Sequence, residues 1–213
     1  MKLISKIFAA SALLAAAQAN ALVIDFGSPA WTPAANNQAS HTVNYALTGA
    51  VTAVAGPAGS LLFANDALDG LGVTSGEIDE VDASEYLKIS LANATNIVSI
   101  KLTDLFPRNH PSDGLPTDGN HPAFGEVANI SFYLGGSLIS SAVVKGLNSV
   151  GVNGEQLFFT GGVYADEIKF VAGGPFNEYS VKSIEVPEPG IFALLGLGLM
   201  GLGLSRRRQA KQA

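Results

Sequence analysis

The sequence predicts an all-β fold, namely an antiparallel, jelly-roll-like β-sandwich followed by a short C-terminal transmembrane helix. Two features of residues 22–186 predict the sheets. Apolar and polar residues alternate in four runs, whose apolar members are Leu87, Ile89 and Leu91; Val98, Ile100 and Leu102; Ile130, Phe132 and Leu134; and Ile168 and Phe170. This period of two is typical of strands with one buried and one hydrated face. Clusters of Gly, Asn, Asp and Pro lie between the apolar segments, as turns lie between short strands.

The strand-like segments follow one another along the chain. In order they lie at residues 22–26, 41–47, 60–64, 86–91, 98–103, 130–134, 137–144, 156–160, 167–170 and 178–186. The apolar phase changes between Val181 and Ile184, which predicts a β-bulge in the last strand. Residues 29–58 alternate more weakly, and we expect edge strands and loops there. A total of about nine to eleven short strands favours a sandwich.

The N-terminal residues 1–21 differ from this body. They begin with Lys2 and Lys6, continue with the apolar stretch IFAASALLAAA, and end with small residues at Ala19 and Ala21. This is the order of a secretory signal peptide, and its apolar stretch is short for a membrane span. We therefore expect signal peptidase to cut after Ala21 and a β-sandwich domain to occupy residues 22–186.

The body between the two ends is acidic and lacks cysteine. Of the 12 basic and 18 acidic residues of the chain, 6 and 17 lie within residues 22–187, which leaves a formal charge of −11 there. Electrostatic repulsion therefore disfavours binding of this body to nucleic acid or to an anionic membrane surface. Because the chain has no cysteine, the hydrophobic core must hold the fold without disulfides.

The acidic stretch at residues 76–87 is one candidate for a metal site. Its carboxylates Glu77, Asp79, Asp82 and Glu85 are hard oxygen ligands of the kind that Ca²⁺ prefers. Their spacing differs from that of a helix-loop-helix calcium loop, so a hydrated acidic loop is the favoured interpretation. No cofactor is expected, although calcium stays possible at this stretch.

A second metal candidate lies in the long proline-rich stretch at residues 107–126. His110 and His121 recur there in an Asn-His-Pro context, with Asp113 and Asp118 between them. Together they could offer nitrogen and oxygen ligands. Their spacing fits no compact zinc motif, and polar residues beside proline are typical of a hydrated surface loop, which is the favoured interpretation.

Aromatic residues offer a candidate for a carbohydrate-binding surface. Trp31, Tyr86, Tyr133 and Tyr164 could stack on sugar rings if they were exposed, since small-ligand sites combine apolar rings with a few polar groups. Packing inside the protein is the commoner use of such rings.

No catalytic residue is predicted. The sequence lacks a Gly-x-Ser-x-Gly elbow, a His-Glu-x-x-His helix, a phosphate-binding glycine loop and any thiol, which are the motifs of the common hydrolases and transferases. A glycosidase needs two carboxyl groups across a cleft, and among 17 acidic residues the sequence cannot select such a pair. We therefore expect a protein that is not an enzyme.

The C-terminal residues 187–213 contain three parts in order. Pro187, Glu188 and Pro189 come first, an apolar run follows at residues 191–204, and the triplet Arg206, Arg207 and Arg208 comes last. As a helix the apolar run would be about 21 Å long, short of a hydrocarbon core of about 30 Å. It is therefore a marginal permanent anchor. The arginines would hold the end of such a helix at the cytoplasmic face.

These three parts resemble the PEP-CTERM sorting signal of Gram-negative bacteria, which the membrane protease exosortase processes. The resemblance covers the last 28 residues and includes the Pro-Glu-Pro and Arg-Arg-Arg triplets. It implies recognition at Pro187, Glu188 and Pro189, cleavage near them, and exosortase and signal peptidase as partners during export. It also implies transient insertion into the inner membrane before the body reaches the cell surface or the extracellular matrix.

Three functions follow as hypotheses. The leading one is an exported, non-enzymatic β-sandwich protein of the surface or matrix, associated with extracellular polysaccharide and biofilm, as the resemblance implies. The first alternative is a calcium-assisted carbohydrate-binding module, and the second is a polysaccharide hydrolase.

Overall fold

The computed structural model describes residues 21–64, 68–74, 80–82, 84–107, 126–146, 154–173 and 179–187. The regular secondary structure of these residues consists of strands alone. The strands are β1 (Leu22–Asp25), β2 (Ser40–Tyr45), β3 (Gly49–Gly56), β4 (Leu61–Phe63), β5 (Gly72–Thr74), β6 (Tyr86–Thr103), β7 (Val127–Leu134), β8 (Ser137–Lys145), β9 (Gln156–Ala172) and β10 (Ser180–Val186). They all belong to one compact unit, Val23–Val186, apart from the first residue of β1.

Eight of these strands form one sheet. Its main order is β1-β10-β6-β9-β7-β8, and β3 also pairs with β6 while β2 pairs with β3. The pairings of β6 with β3, β9 and β10 are antiparallel, as are those of β7 with β8 and β9. The strands β4 and β5 form a separate antiparallel pair. The predicted all-β, antiparallel fold is confirmed, whereas the jelly-roll topology is not.

The two longest strands, β6 with 18 residues and β9 with 17, were each predicted as two short strands. Their pairing continues across register shifts, between Ser90 and Thr95 and between Ile97 and Ser99 on β6. The first part of β6 lies between β3 and β9, and its last part lies between β10 and β9. A bulge bends a strand without ending it. These two strands therefore run through both parts of the sheet, the part that contains β3 and the part that contains β10.

The bulge in β9 has a local cause in the sequence Thr160-Gly161-Gly162. Both glycines have positive φ, 75° and 88°, which residues with a side chain rarely adopt. The hydroxyl of Thr160 donates to the carbonyl of Ile97 and accepts from the N–H of Gly162 at 3.1 Å. These contacts fix the bulge against β6.

The core is apolar and is built from the predicted alternation, with two exceptions. Leu87, Ile89, Ile100 and Phe170 are fully buried. Val98 is only half-buried, because the register shift next to it turns its neighbour Ile97 inward instead. Leu134 is exposed, because β7 ends there at the hairpin turn.

The prediction of edge strands and loops at residues 29–58 is wrong for β3. This strand pairs with β2 on one side and with β6 on the other, and Val51, Ala53 and Ala55 are buried. Small side chains alternate in polarity only weakly, so the period-two pattern is faint there. The predicted bulge in the last strand is confirmed, since the register of β10 shifts between Val181 and Ser183.

We expect the buried Tyr179 to make the fold sensitive to alkali. Burial raises the pKa of Tyr179 well above its ordinary value of 10.0, and its hydroxyl has no hydrogen-bond partner among the described residues. The folded chain therefore holds this proton more tightly than the unfolded chain does. The free energy of unfolding should be unaffected at neutral pH and fall as the pH rises from about 10 towards the folded-state pKa.

The variant Tyr179→Phe tests this. It should change the free energy of unfolding by less than about 1 kcal/mol near neutral pH, since no described hydrogen bond is lost. It should also weaken the loss of stability above pH 10, as measured by urea unfolding across that range. Tyr164→Phe is the matched control, because Tyr164 is exposed. Equal alkaline loss in Tyr179→Phe and the wild type would contradict the assignment.

Candidate functional site

The predicted calcium ligands are only partly within the described residues. Glu77 and Asp79 lie outside them, while Asp82 and Glu85 lie just before β6. The N–H of Asp82 donates to Oε2 of Glu85 at 3.0 Å, and the N–H of Glu85 donates to the carbonyl of Asp82 at 2.9 Å. These two bonds close a turn that leads into β6, so the buried carboxylate of Glu85 has a structural contact in this loop.

Metal binding at either stretch stays an untested alternative to the favoured hydrated loops. Across the residues that the structure describes, no group of three or more His, Asp or Glu side chains is placed to hold a metal ion. His110, Asp113, Asp118 and His121 lie outside those residues. The remaining histidine, His41, contacts the carbonyl of Ala30 through Nε2 at 3.0 Å and lies edge-on to the Trp31 ring.

The four aromatic candidates have different environments. Trp31 is fully buried, in agreement with the favoured interpretation of packing inside the protein. The Tyr86 ring lies under Nζ of Lys169 at 4.1 Å, and Tyr133 is half-buried. Tyr164 alone among the four is largely exposed, at 52%.

Several large apolar residues beyond these candidates are also exposed, and on β9 they are Leu157 at 55% and Phe159 at 67% exposure. Both belong to β9, where side chains two positions apart share a face. With Tyr164, beyond the glycine bulge of the same strand, they form what we call the β9 surface patch. The run QLFFT marks a strand, but its sequence does not reveal which of its apolar residues stays uncovered.

The β9 surface patch lies close to the last strand of the body. Phe159 is the register partner of Ser99 on β6, and Ser99 is the register partner of Glu185 on β10. The Ser99 hydroxyl donates to Oε2 of Glu185 at 2.6 Å. One row across three neighbouring strands therefore joins an exposed phenylalanine to the end of β10.

A charged pair borders the same patch. Leu157 is the register partner of Lys101, and Nζ of Lys101 pairs with Oε1 of Glu155 at 2.7 Å. Both members of the pair are about one-third exposed, so solvent screens their attraction and their contribution to stability is small. The Lys101–Glu155 pair therefore lies at the edge of the patch, and Leu157 stays exposed beside it.

The last described residues of the chain belong to β10 and to the position directly after it. Ile184 and Val186 in β10 are fully buried, and Pro187 follows directly as a half-buried residue. The other predicted sorting residues, Glu188, Pro189, Arg206, Arg207 and Arg208, lie outside the described residues, as does Ala19 near the expected signal peptidase site.

The predicted membrane span at residues 191–204 also lies outside the described residues. In the described segments, a helix long and apolar enough to cross a bilayer is not found.

Comparison with known proteins identifies the C-terminal segment of the chain. Residues 185–208 match the family model of the PEP-CTERM protein-sorting motif. The match contains the Pro-Glu-Pro triplet, the apolar run and the three arginines, so the predicted resemblance is confirmed. Searches of curated proteins and of solved structures found no match to the chain.

Proposed function

We propose a function from the premise that the chain carries a PEP-CTERM sorting motif at residues 185–208 and is thus an exosortase-sorted extracellular protein. In this proposal, the β-sheet body works without catalysis in the extracellular polymer layer. The motif implies export through a membrane-anchored intermediate before surface display. The observation that carries the sorting part of the proposal is the overlap of the two parts, because the matched motif begins at Glu185 and includes the last two residues of β10.

This overlap limits where exosortase can cut. Val186 and Ile184 are fully buried, and losing a buried aliphatic side chain costs about 2–5 kcal/mol. A cut that leaves the body folded therefore lies after Val186. Cleavage near Pro187, Glu188 and Pro189 would release the body with β10 intact.

The mass of the mature protein tests the sorting step. We expect the form recovered from the medium or the cell surface to begin at Leu22, to retain Val186, and to lack Arg206–Arg208. Replacing Pro187, Glu188 and Pro189 together with alanine should leave the tail attached and the protein in the membrane fraction. Gln209→Ala is the matched control, because Gln209 lies just outside the matched motif. A mature wild-type form that keeps Arg206–Arg208 would overturn this step.

A non-enzymatic role in the polymer layer is supported by the acidic body and by the absence of a catalytic motif from the sequence. The net charge keeps such a body soluble. Incubating the purified protein with polysaccharide from the producing cells should release no reducing ends. A release that depends on a specific pair of carboxylates would replace this role with the hydrolase hypothesis.

Carbohydrate binding is the second candidate function, and the exposure of Phe159 and Tyr164 favours it. Exposed rings can stack on the apolar faces of sugars. The test is binding to a panel of glycans with and without a calcium chelator. Saturable glycan binding that the chelator abolishes would support a calcium-assisted carbohydrate-binding module. Absence of binding under both conditions would remove carbohydrate binding as a candidate function.

A further inference from the structure

We infer that the β9 surface patch (Leu157, Phe159 and Tyr164) contacts the lipid–water interface of the membrane while the sorting tail is still attached. This inference rests on the proposed function, because it concerns the membrane-anchored stage that the sorting motif implies. It assigns a membrane-facing side to the body at the moment when exosortase acts.

The chemistry of the patch is the first argument. Phe159 and Tyr164 are 67% and 52% exposed, and Leu157 between the charged pair and Phe159 is 55% exposed. Single exposed apolar residues are ordinary, whereas clusters of them indicate interaction surfaces. β8 also exposes Leu138, Ile139 and Val143, so the position of each strand relative to the tail decides between the two. Aromatic rings with an apolar body are favoured at the level of lipid headgroups.

The position of the patch is the second argument. Glu185, Ser99 and Phe159 occupy one row of the sheet, and adjacent strands lie about 4.8 Å apart, so the backbones of Glu185 and Phe159 are about 10 Å apart. Because β9 and β10 both run antiparallel to β6, they point the same way. Tyr164 therefore lies beyond Phe159 in the direction in which β10 leads out of the sheet.

The short tether is the third argument. Four residues, 187–190, separate Val186 from the apolar run that begins at Ile191. Five Cα–Cα steps lead from Val186 to Ile191, so the fully extended distance is at most about 18 Å. While the apolar run is in the bilayer, the end of β10 must stay within that distance of it. The exposed rings beside this end are then held close to the membrane surface throughout the anchored stage.

The charges select the kind of surface. The body carries a formal charge of −11, and Glu155 and Glu185 lie beside the patch. Anionic headgroups would repel them. We therefore expect the patch to sit on a zwitterionic interface and to leave it as anionic lipid is added.

The absence of native cysteine permits a site-specific test. The chain with its sorting tail intact is inserted by that tail into phosphatidylcholine vesicles carrying a headgroup quencher. Leu157→Cys is labelled with an environment-sensitive fluorophore. Val143→Cys is the matched control, because Val143 is 59% exposed on β8, the strand at the far end of the sheet order. We expect quenching at position 157 to exceed that at position 143 by at least about twofold.

Further arms decide between outcomes. We also introduce Phe159→Ser and Tyr164→Ser together into the labelled Leu157→Cys chain. This double variant should reduce quenching at position 157 to the level at position 143. Unchanged fluorescence of the buried Trp31 would show that the fold is intact. Equal quenching at positions 157 and 143 in the wild-type background would overturn the inference. The inference would also be overturned if exosortase removed the tail of the double variant more slowly in cells while quenching in vesicles stayed unchanged. That result would indicate that the patch contacts exosortase. Failure of the proposed function shows separately, as a mature mass that keeps the arginines.

Discussion

Replacement of Trp31 by alanine is expected to lower the free energy of unfolding by about 3–5 kcal/mol, the range for truncating a buried aromatic residue. Trp31 is fully buried and ranks first by volume among the fully buried side chains. Its ring lies edge-on to Phe26 at 4.9 Å and to His41 at 5.2 Å between centroids. Its Nε1–H donates to the Tyr45 hydroxyl at 2.9 Å, so the change removes packing on two sides and a hydrogen bond.

Urea unfolding of the purified body-containing chain measures this loss. Phe159→Ala is the control, because Phe159 is 67% exposed and surface substitutions change stability by only about 0.5 kcal/mol. A loss below about 1 kcal/mol for Trp31→Ala would mean that neighbouring side chains refill the space, contrary to the packing described.

The contrast between Trp31 and Phe159 shows a limit of sequence reasoning. Trp31 follows β1 in a segment of turns, where no periodic pattern indicates whether a side chain points inward. Phe159 lies in a clear strand, yet its exposure depends on which other strands cover that part of the sheet. Burial is set by contacts between residues distant in sequence, and a local pattern does not contain them.

Features with a local cause were predictable. The strand alternation around Ile89 and Ile168 follows from the two-residue period of the backbone, and the bulge between Val181 and Ile184 follows from its change of phase. The sorting motif was recognisable because its parts are contiguous in the sequence at residues 185–208. In contrast, the sequence did not reveal that two predicted strands form the single strand β6. That continuity depends on pairing with β3, β9 and β10, and the pairing with β9 continues past the register shifts.

Replacement of Gly70 by alanine is expected to lower the free energy of unfolding by about 3 kcal/mol or more, through two separate effects. The residue has a φ of +110°, and a side chain in such a conformation costs about 1–3 kcal/mol. An added Cβ would also lie 2.5 Å from the carbonyl oxygen of Val181 and 2.7 Å from Cα of Lys182. Both are backbone atoms, which cannot turn aside as a side chain can, and such overpacking costs about 1–3 kcal/mol.

Gly59→Ala separates the two effects. Gly59 has a comparable φ of +100° but nothing within 4 Å of an added Cβ, so only the conformational cost of about 1–3 kcal/mol applies. The difference in unfolding free energy between the two variants, measured in urea, reports the contact with β10. Equal losses would contradict a close approach at Gly70.

The position of Gly70 connects this loss to export. The next residue, Leu71, exchanges two backbone hydrogen bonds of 3.0 Å with Val181, in the strand that leads into the sorting motif. A Cβ at Gly70 would push against this pairing and loosen β10. We therefore expect Gly70→Ala to reduce the amount of folded body recovered outside the cell more than Gly59→Ala does. Comparable recovery of the two variants, despite unequal unfolding free energies, would show that export does not depend on how firmly β10 is held.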